Sequence, residues 1–495
     1  MNNRLVIYFH YDPNGQADSA CRFAVRAMRK QARAFLFLTN GTLQAQSRQW
    51  LEENQIRYLE RENTGLDVGA YKAALQHVGR QAMDDFDEVI LMNYTLAGPV
   101  RPLAQMFERM DARKDLDFWG LSRHYAMRSR RFGKRGEVPE HIQSHFIAVR
   151  RRMYADFWAY WQKIPLPGSY EDSIRLHESR FTAHFAKLGY RWDTFVDGDT
   201  WRGIFVNPIM ACPRELIVRE NCPFFKRRSF FTPYADELRR TDGRAAAELY
   251  AYLQQESDFP VDALIADLLP VQPLAYMAQN LHWHYLFAPA NGVTSTPITP
   301  LTTPELAQGV QLRSDTLYSI SLPVTAEGAA AWYERNLAWD PGTAAAALAL
   351  FEEHAGLGVL GPALPLYPDM ARAKRKQWQR NLPYLKEKLQ TLQLGIPLAE
   401  DLPLPLPNGG WLLLRGAAFP DGIPPISRKA DFWLLPLLAQ KNGYFSATAE
   451  SPEQAIARKD VYEAGFWQVQ TVAGAGKLLA RRIKHRLTCR KEGDE

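Results

Sequence analysis

Two short runs hold the side chains best suited to chemistry. In Arg61-Glu62-Asn63-Thr64-Gly65-Leu66-Asp67-Val68-Gly69, an amide, a carboxylate and a pair of glycines crowd one turn between a strand pattern and a helical one. Gly65 permits a tight turn and Gly69 a close approach of backbone. Asp67 has two readings: a cap that uses the orphan amides of the helix's first turn, or, with Asn63, a polar contact to a nucleotide or sugar. In Asn93-Tyr94-Thr95 a buried strand pattern ends on an amide, a phenol and a hydroxyl, with no acid at its tip. Neither G-x-G-x-x-G nor G-x-x-x-x-G-K-[ST] occurs, so the dehydrogenase and P-loop readings lose their signatures.

These runs need elements to position them. Apolar runs predict strands at Leu5–Tyr8, Ala34–Leu38, Ile56–Leu59, Val89–Met92 and Asp117–Leu121, alternating with helical spacings at 20–28, 43–53, 68–78 and 101–110. Continuous apolar strands between helices predict an α/β fold with a mostly parallel sheet covered on both faces. Ligands of such sheets sit at the carboxyl ends of the strands. His10-Tyr11-Asp12, Thr39-Asn40, Glu62 to Asp67 and Asn93 to Thr95 all fall there.

Farther along, residues 141–149 predict a strand in which Gln143 and His145 share one face and Ser144 takes the other. Residues 173–188 and 245–269 predict helices. Thr294 to Pro304, rich in Thr and Pro, is the best linker candidate. A second alternating region begins near Asp315 and includes a helix over 329–337. The expected organisation is a first α/β domain over 1–210, an irregular and helical connector over 211–293, a second α/β domain of transferase-like or accessory kind over 294–475, and a basic tail over 476–495.

The chain has 495 residues, 46% hydrophobic and 23% charged, with a net charge of +6. That balance is ordinary for a globular protein, and the charge is too weak to argue for nucleic acid; it suits an anionic substrate or membrane surface. Four scattered cysteines form no C-x-x-C, so neither zinc nor a disulfide framework is indicated. The N-terminus lacks a signal-peptide pattern, and no window approaches the ~18 apolar residues of a membrane span. A cytoplasmic protein is expected. The tail, with Lys477, Arg481, Arg482, Lys484 and Arg486 among Leu478, Leu479 and Ile483, reads either as a basic amphipathic anchor on the inner membrane face or as a solvated helix.

HYDPNG, FLTNG, RENTGLDVGAYKAAL, FDEVILMNYTLAGPV, DFWGLS and HIQSHFIAVRR, in this order, resemble the rhamnan synthesis protein F family. NPIMACPRELIVRENCPFFKRR resembles its downstream block, so the likeness runs over residues 4–290 and weakens beyond. The resemblance implies a bacterial GT-A-type glycosyltransferase, a nucleoside-diphosphate sugar donor (dTDP-rhamnose above all), and a saccharide or lipid-linked glycan acceptor. By the family's N-x-G-x-D-x-G motif, Asn63, Gly65, Asp67 and Gly69 line the donor pocket, with His10, Asp12 and Asn40 at neighbouring strand ends. Asn93 and Thr95 correspond to the outer letters of its N-D-S motif, and Tyr94 stands where the family usually has Asp. A hard Mg²⁺ or Mn²⁺ ion prefers carboxylate oxygens, and Tyr94 is a poor substitute.

Three alternatives follow. Asp67 or another acid holds the cation; basic groups (Arg61, Arg123 and the Lys226-Arg227-Arg228 cluster) replace it; or transfer activity is lost, leaving a silent glycan- or nucleotide-binding scaffold. No organic cofactor is implied. HESRFTAHFAKLGYRW resembles the E-D-x-x-L-x-x-R block of family-2 glycosyltransferases, with Glu178 on the E and Ser179 in place of the D. That makes Glu178 the base for an inverting transfer, with Glu171 and Asp172 in reserve, or a solvated helix carboxylate. Gln143 and Ser144 would frame the acceptor. Trp119 reads as core or as a sugar platform, and His282-Trp283-His284 as packing.

Overall fold

The structure, a computed structural model, describes residues 3–128, 136–233, 243–287, 297–322, 339, 341–363, 368–405 and 410–456. The basic tail, the helix read over 329–337 and residues 294–296 of the Thr/Pro-rich stretch lie outside the described residues. The chain divides into two compact units, Met1–Asp267 and Leu268–Glu495.

The first unit is built on a seven-stranded sheet. Its strands are β1 (Arg4–Tyr11), β2 (Ala34–Asn40), β3 (Arg57–Arg61), β4 (Glu88–Asn93), β5 (Phe118–Gly120), β6 (Phe146–Arg150) and β7 (Trp192–Thr194). The order across the sheet is β3-β2-β1-β4-β6-β5-β7, and only β6 runs antiparallel to its neighbours. The expected α/β architecture with a mostly parallel sheet is thus present. The helices are α1 (Ser19–Arg29), α2 (Ala45–Glu53), α3 (Leu66–Val78), α4 (Leu103–Ala112), α5 (Tyr154–Lys163) and α6 (Ser179–Lys187).

β1 is central and buried on both sides, which explains its unbroken apolar run. Val6 and Tyr8 face a core with α1 and α4; Leu5, Ile7 and Phe9 face one with α3, α5 and α6. α1 buries Ala20, Cys21, Ala24, Val25 and Met28, the i, i+4 stripe of an amphipathic helix, and Asp18 caps it by accepting from Cys21 N. At the amino end of the sheet, Arg4 Nε donates to Glu88 Oε2 at 2.9 Å, with the two side chains 2% and 0% exposed. Glu88 Oε1 also accepts from Trp119 Nε1 at 2.7 Å, so Trp119 belongs to the core.

The segment expected as one strand over 141–149 is broken. His141–Ile142 pairs with Arg123–His124 in a separate ribbon, residues 143–145 turn, and only then does β6 join the sheet. The break follows from captured amides: Gln143 N donates to Ser122 O and Ser144 N to the Glu178 carboxylate, neither in a ladder. The helix expected over 173–188 is also interrupted. A short turn of helix, Tyr170–Ser173, passes through one π-helical turn, Ile174–Glu178, into α6. The stretch 245–269 forms two helices, Ala245–Glu256 and Val261–Leu268, parted just before the second by Pro260, which has no N–H to continue a helix.

The second unit is also α/β. Its six strands are β8 (His284–Leu286), β9 (Ile298–Leu301), β10 (Leu317–Leu322), β11 (Leu357–Pro362), β12 (Gly410–Arg415) and β13 (Phe445–Glu450), ordered β8-β13-β11-β12-β10-β9, with β12 antiparallel to its neighbours. The linker expectation fails where it can be seen. Ile298–Leu301 is an edge strand, a place that tolerates Pro300, and Thr302 forms a capping box with Glu305. Trp283 stacks on Phe445 at 4.5 Å and His284 Nε2 meets Glu450 Oε1 at 2.8 Å, so H-W-H does pack. Among the described residues no helix is long and apolar enough to cross a membrane.

Candidate active site

β3 hands over to α3 through the glycine turn. Gly65, at φ +69°, is the residue before the helix, and Leu66 follows in the same left-handed region at φ +52°. Gly69 cannot carry a side chain here, because a Cβ would stand 2.3 Å from Thr64 O. The turn is laced from beneath. Arg61 Nη1 donates to Asn40 Oδ1 at 2.6 Å and to Thr64 O at 3.0 Å, while Asn40 Nδ2 donates to Asn63 Oδ1 at 3.2 Å. Asn40, Arg61 and Asn63 therefore form one network across the ends of β2 and β3.

Asp67 lies inside the helix, one residue past its start, and its Oδ1 accepts from Val68 N at 3.0 Å, one of the free amides of the first turn. Oδ1 accepts from Ser173 Oγ at 2.9 Å, and Oδ2 lies 3.2 Å from Ser144 Oγ. Ser144 also donates to Glu178 Oε2, from its backbone N at 2.9 Å and from Oγ at 2.5 Å. His141 Nε2 stands 3.6 Å from Glu178 Oε1, and Glu178 keeps 19% of its side chain exposed. The π-helical turn aims Glu178 at Ser144; such turns recur at functional sites. A cavity of about 20 Å³ lies among Asp67, Tyr71, Ser144, Ser173, His177 and Glu178, room for about one water.

The shared serine does not make the carboxylates equivalent. Burial, and then the charge of Glu178, raise Asp67 above its ordinary value, against the hydrogen bonds from Ser173 and Ser144. Burial alone would raise Glu178 too, but His141 and Ser144 outweigh it and hold Glu178 well below the usual carboxylate range. Two neighbouring acids pushed in opposite directions are the usual sign of divided proton roles.

At the tip of β4, Asn93 Oδ1 accepts from Thr95 N at 3.2 Å and from Thr95 Oγ1 at 2.5 Å. Thr95 Oγ1 in turn accepts from Lys226 Nζ at 2.9 Å. The Tyr94 ring packs edge-on against Phe9, His10 and Tyr11, and burial pushes its phenol up to about 12. Tyr94 thus fills the strand end with a neutral ring.

The other expected residues sit as follows. His10 is buried between Thr39 Oγ1 and Gln16 O. Asp12 Oδ1 accepts from the backbones of Asn14 and Gln16, and burial raises its carboxyl. Gln143 Oε1 accepts from Ser122 Oγ at 2.9 Å and His145 Nε2 lies 3.3 Å from the same oxygen, so those two do share a side, with Ser144 opposite. Arg123 is held by Glu140 and Asp193, and Arg227 by Asp18. Asp172 pairs with Arg175. Sequence reasoning missed Ser173 and the His141–Glu178 pairing; the one local signal was Ser169, which caps the turn Tyr170–Ser173.

Residues 35–295, more than half of the 495, match the family model described as Rhamnan synthesis protein F. The chain belongs to the rhamnan synthesis protein F family. A curated relative, uncharacterized protein y4gN of Sinorhizobium fredii (strain NBRC 101917 / NGR234), is 24% identical over 189 residues, 38% of this chain and 46% of the relative. The chain thus spans about half the length of that relative. Among solved structures, it is similar to a glycosyltransferase involved in glycosylation of the major capsid of PBCV-1 (9% identity, TM-score 0.26, 45% of this chain and 92% of that one). It is also similar to glucosyl-3-phosphoglycerate synthase from Mycobacterium tuberculosis in complex with Mn²⁺, UDP and glucosyl-3-phosphoglycerate (11% identity, TM-score 0.21, 31% and 58%).

Membership of the rhamnan synthesis protein F family raises the question of a divalent cation. A hard cation needs several oxygen ligands. Among the described residues no group of three or more His, Cys, Asp or Glu could hold one. Asp67 already accepts from Ser173 and Val68 N, and Tyr94 occupies the strand tip. Among the described residues, the donor set at this strand end does not fit a resident cation.

Proposed function

We propose that this chain is a glycosyltransferase that moves a deoxyhexose from a nucleoside-diphosphate sugar to a hydroxyl of a growing cell-surface polysaccharide or lipid-linked glycan. dTDP-rhamnose is the donor that the family resemblance favours. The observation that carries the reading is the Asp67–Ser144–Glu178 grouping beside the carboxyl ends of a mostly parallel sheet, where such sheets bind ligands.

In the proposed reaction the acceptor oxygen bonds to the anomeric carbon as the bond from that carbon to the diphosphate oxygen breaks. The electron pair leaves on the diphosphate, and the hydroxyl proton passes to a carboxylate. With attack opposite the leaving group, the configuration inverts. Asp67 is the better proton acceptor, because its raised value lies closer to working pH, whereas Glu178 is held ionised and is correspondingly weak as a base. Glu178 would then keep Asp67 basic and Ser144 oriented. The glycine turn and Asn63 would border the donor, with Ser144 towards the acceptor.

The test is release of dTDP from dTDP-rhamnose in the presence of a lipid-linked or oligosaccharide acceptor. Steady release that Asp67→Asn abolishes supports the reading, and inactivity across donors together with no nucleotide binding overturns it. The second reading, a silent nucleotide- or glycan-binding scaffold, draws on Tyr94 at the strand tip; dTDP binding without turnover on any acceptor would favour it.

A further inference from the structure

We propose that the outer edge of the first sheet carries a second ligand site, a polar cavity that takes one neutral sugar ring of a glycan. The proposal rests on the proposed glycan acceptor for its occupant. It goes beyond that reading by assigning residues that grip the chain away from the reacting hydroxyl.

The cavity measures about 370 Å³ and lies where the edge strand β7 runs into the loop after it, against the last turn of α4. That size falls within the roughly 300–1,000 Å³ of small-molecule sites. Its charged lining is Arg109, Arg113, Arg123, Asp193, Asp197 and Asp199.

The walls are fixed before any ligand arrives. Asp193 joins two arginines: Oδ2 accepts from Arg113 Nη1 at 2.9 Å and Oδ1 from Arg123 Nη2 at 2.6 Å. Arg123 also donates to Glu140 Oε1 at 2.7 Å and to Thr194 Oγ1 at 3.1 Å, with its guanidinium 5.0 Å from the Trp192 ring centroid. The loop is tied down as well. Tyr125 OH donates to Gly198 O at 2.5 Å, and Asp199 N donates to Asp197 Oδ1 at 2.8 Å. Into this frame Arg109 brings a guanidinium that packs 5.1 Å from the Phe195 ring centroid and donates to no other described residue.

The chemistry of the lining selects the occupant. Three guanidiniums balance three carboxylates, so an anionic ligand gains no net attraction here. Among the described residues no group of three or more acids, histidines or cysteines could hold a metal. A guanidinium only donates and a carboxylate only accepts, whereas each sugar hydroxyl does both. A ring with hydroxyls on neighbouring carbons is the neutral ligand that uses such a mixed lining, and the planar arginine fork matches two adjacent oxygens.

The cavity shares a scaffold with the reaction site. His124 and His141 are paired in the two-stranded ribbon and stack at 5.2 Å, and His141 faces Glu178. Successive strand residues point to opposite faces, so Arg123 turns the other way, into the cavity. A growing glycan is a row of rings, and a grip on this side of the ribbon holds it beyond the unit that reacts.

The experiment is calorimetric titration of the full chain with neutral trisaccharides of rhamnose, of glucose and of N-acetylglucosamine, and separately with inorganic phosphate and with dTDP, for wild type and Arg109→Met. Expected are binding of at least one trisaccharide by wild type, a Kd for it that rises more than threefold in Arg109→Met, and dTDP binding within twofold in both. Melting curves check folding, and Arg109→Gln replaces the Met variant if that variant melts early. Three results overturn this inference and leave the proposed function standing: no trisaccharide binds, Arg109→Met leaves the trisaccharide Kd within threefold, or phosphate binds in place of the sugars and is lost in Arg109→Met. If a trisaccharide binds through Arg109 while no nucleotide binds and no donor is turned over, the proposed function fails and the saccharide site stands.

Discussion

One oxygen of Glu178, Oε2, takes both hydrogen bonds that Ser144 can donate, from the backbone at 2.9 Å and from the hydroxyl at 2.5 Å. A carboxylate so engaged is anchored more than it is reactive. The hydroxyl also lies 3.2 Å from Asp67 Oδ2, so one serine sets the geometry of both acids.

The two acids should respond differently to substitution. Asp67→Asn should lower kcat by roughly 10²–10⁴-fold, the usual contribution of a general base. Glu178→Gln should cost less. It removes a negative charge that raises Asp67, so Asp67 becomes easier to ionise. Because a base works deprotonated, the acid limb of kcat/KM should move to lower pH in Glu178→Gln. A pH–rate profile in dTDP-release assays checks this, and an unmoved or upward-shifted limb counts against the division of roles.

Gly69 and Gly79 make a matched pair. Both interrupt the run around α3, but a Cβ at Gly69 would strike Thr64 O whereas one at Gly79 would meet nothing within 4 Å. Gly79, at φ +82°, carries only backbone strain. Gly69→Ala should lose roughly 1–3 kcal/mol from overpacking and weaken dTDP binding by displacing Thr64 and Arg61. Gly79→Ala should lose roughly 1–3 kcal/mol from backbone strain with binding unchanged. Urea unfolding and dTDP titration of both variants decide it, and equal binding losses would detach the turn from the donor.

His10 should make the first unit acid-sensitive. A carbonyl only accepts, so Nε2 carries the proton toward Gln16 O at 3.1 Å and Nδ1 accepts from Thr39 Oγ1 at 3.0 Å. Burial lowers the imidazole from 6.5 to about 4. The unfolded chain therefore binds its proton first, and stability is lost as pH falls from 6.5 toward 4, by up to about 3 kcal/mol in all. In His10→Gln that loss is absent, so its stability gap to wild type should narrow across this window. Urea unfolding at several pH values measures the gap, and a constant gap would contradict the assignment.

Much of the first unit was legible because its strands are buried on both faces and their apolar runs stop on polar residues. The turn from Arg61 to Gly69 was legible for a related reason: the left-handed φ at Gly65 favours glycine, and Gly69 has no room for a Cβ. The meeting of Asp67, Ser144 and Glu178 was hidden, since 77 positions separate the first two and 34 the last two, and no local pattern encodes such a meeting. Gln143-Ser144-His145 has the alternation of a strand and the right sidedness, yet it is a turn, because Glu178 captures an amide that a ladder would need. The Thr/Pro-rich stretch misled in the opposite sense: its composition suits a linker, but Pro300 and Thr302 equally suit an edge strand and a cap.

The π-helical turn at Ile174–Glu178 has a consequence for how this site varies by descent. Such a turn is an ordinary helical turn with one residue too many, and each residue rotates a helix by about 100°. Deleting a single codon early in that turn would relax it to α-helix and swing the preceding turn Tyr170–Ser173 around the axis relative to α6, carrying Ser173 away from Asp67, with no change to any strand. The meeting of Ser173 and Asp67 is thus held by an insertion, so descendants of this chain could part company at the site through length alone.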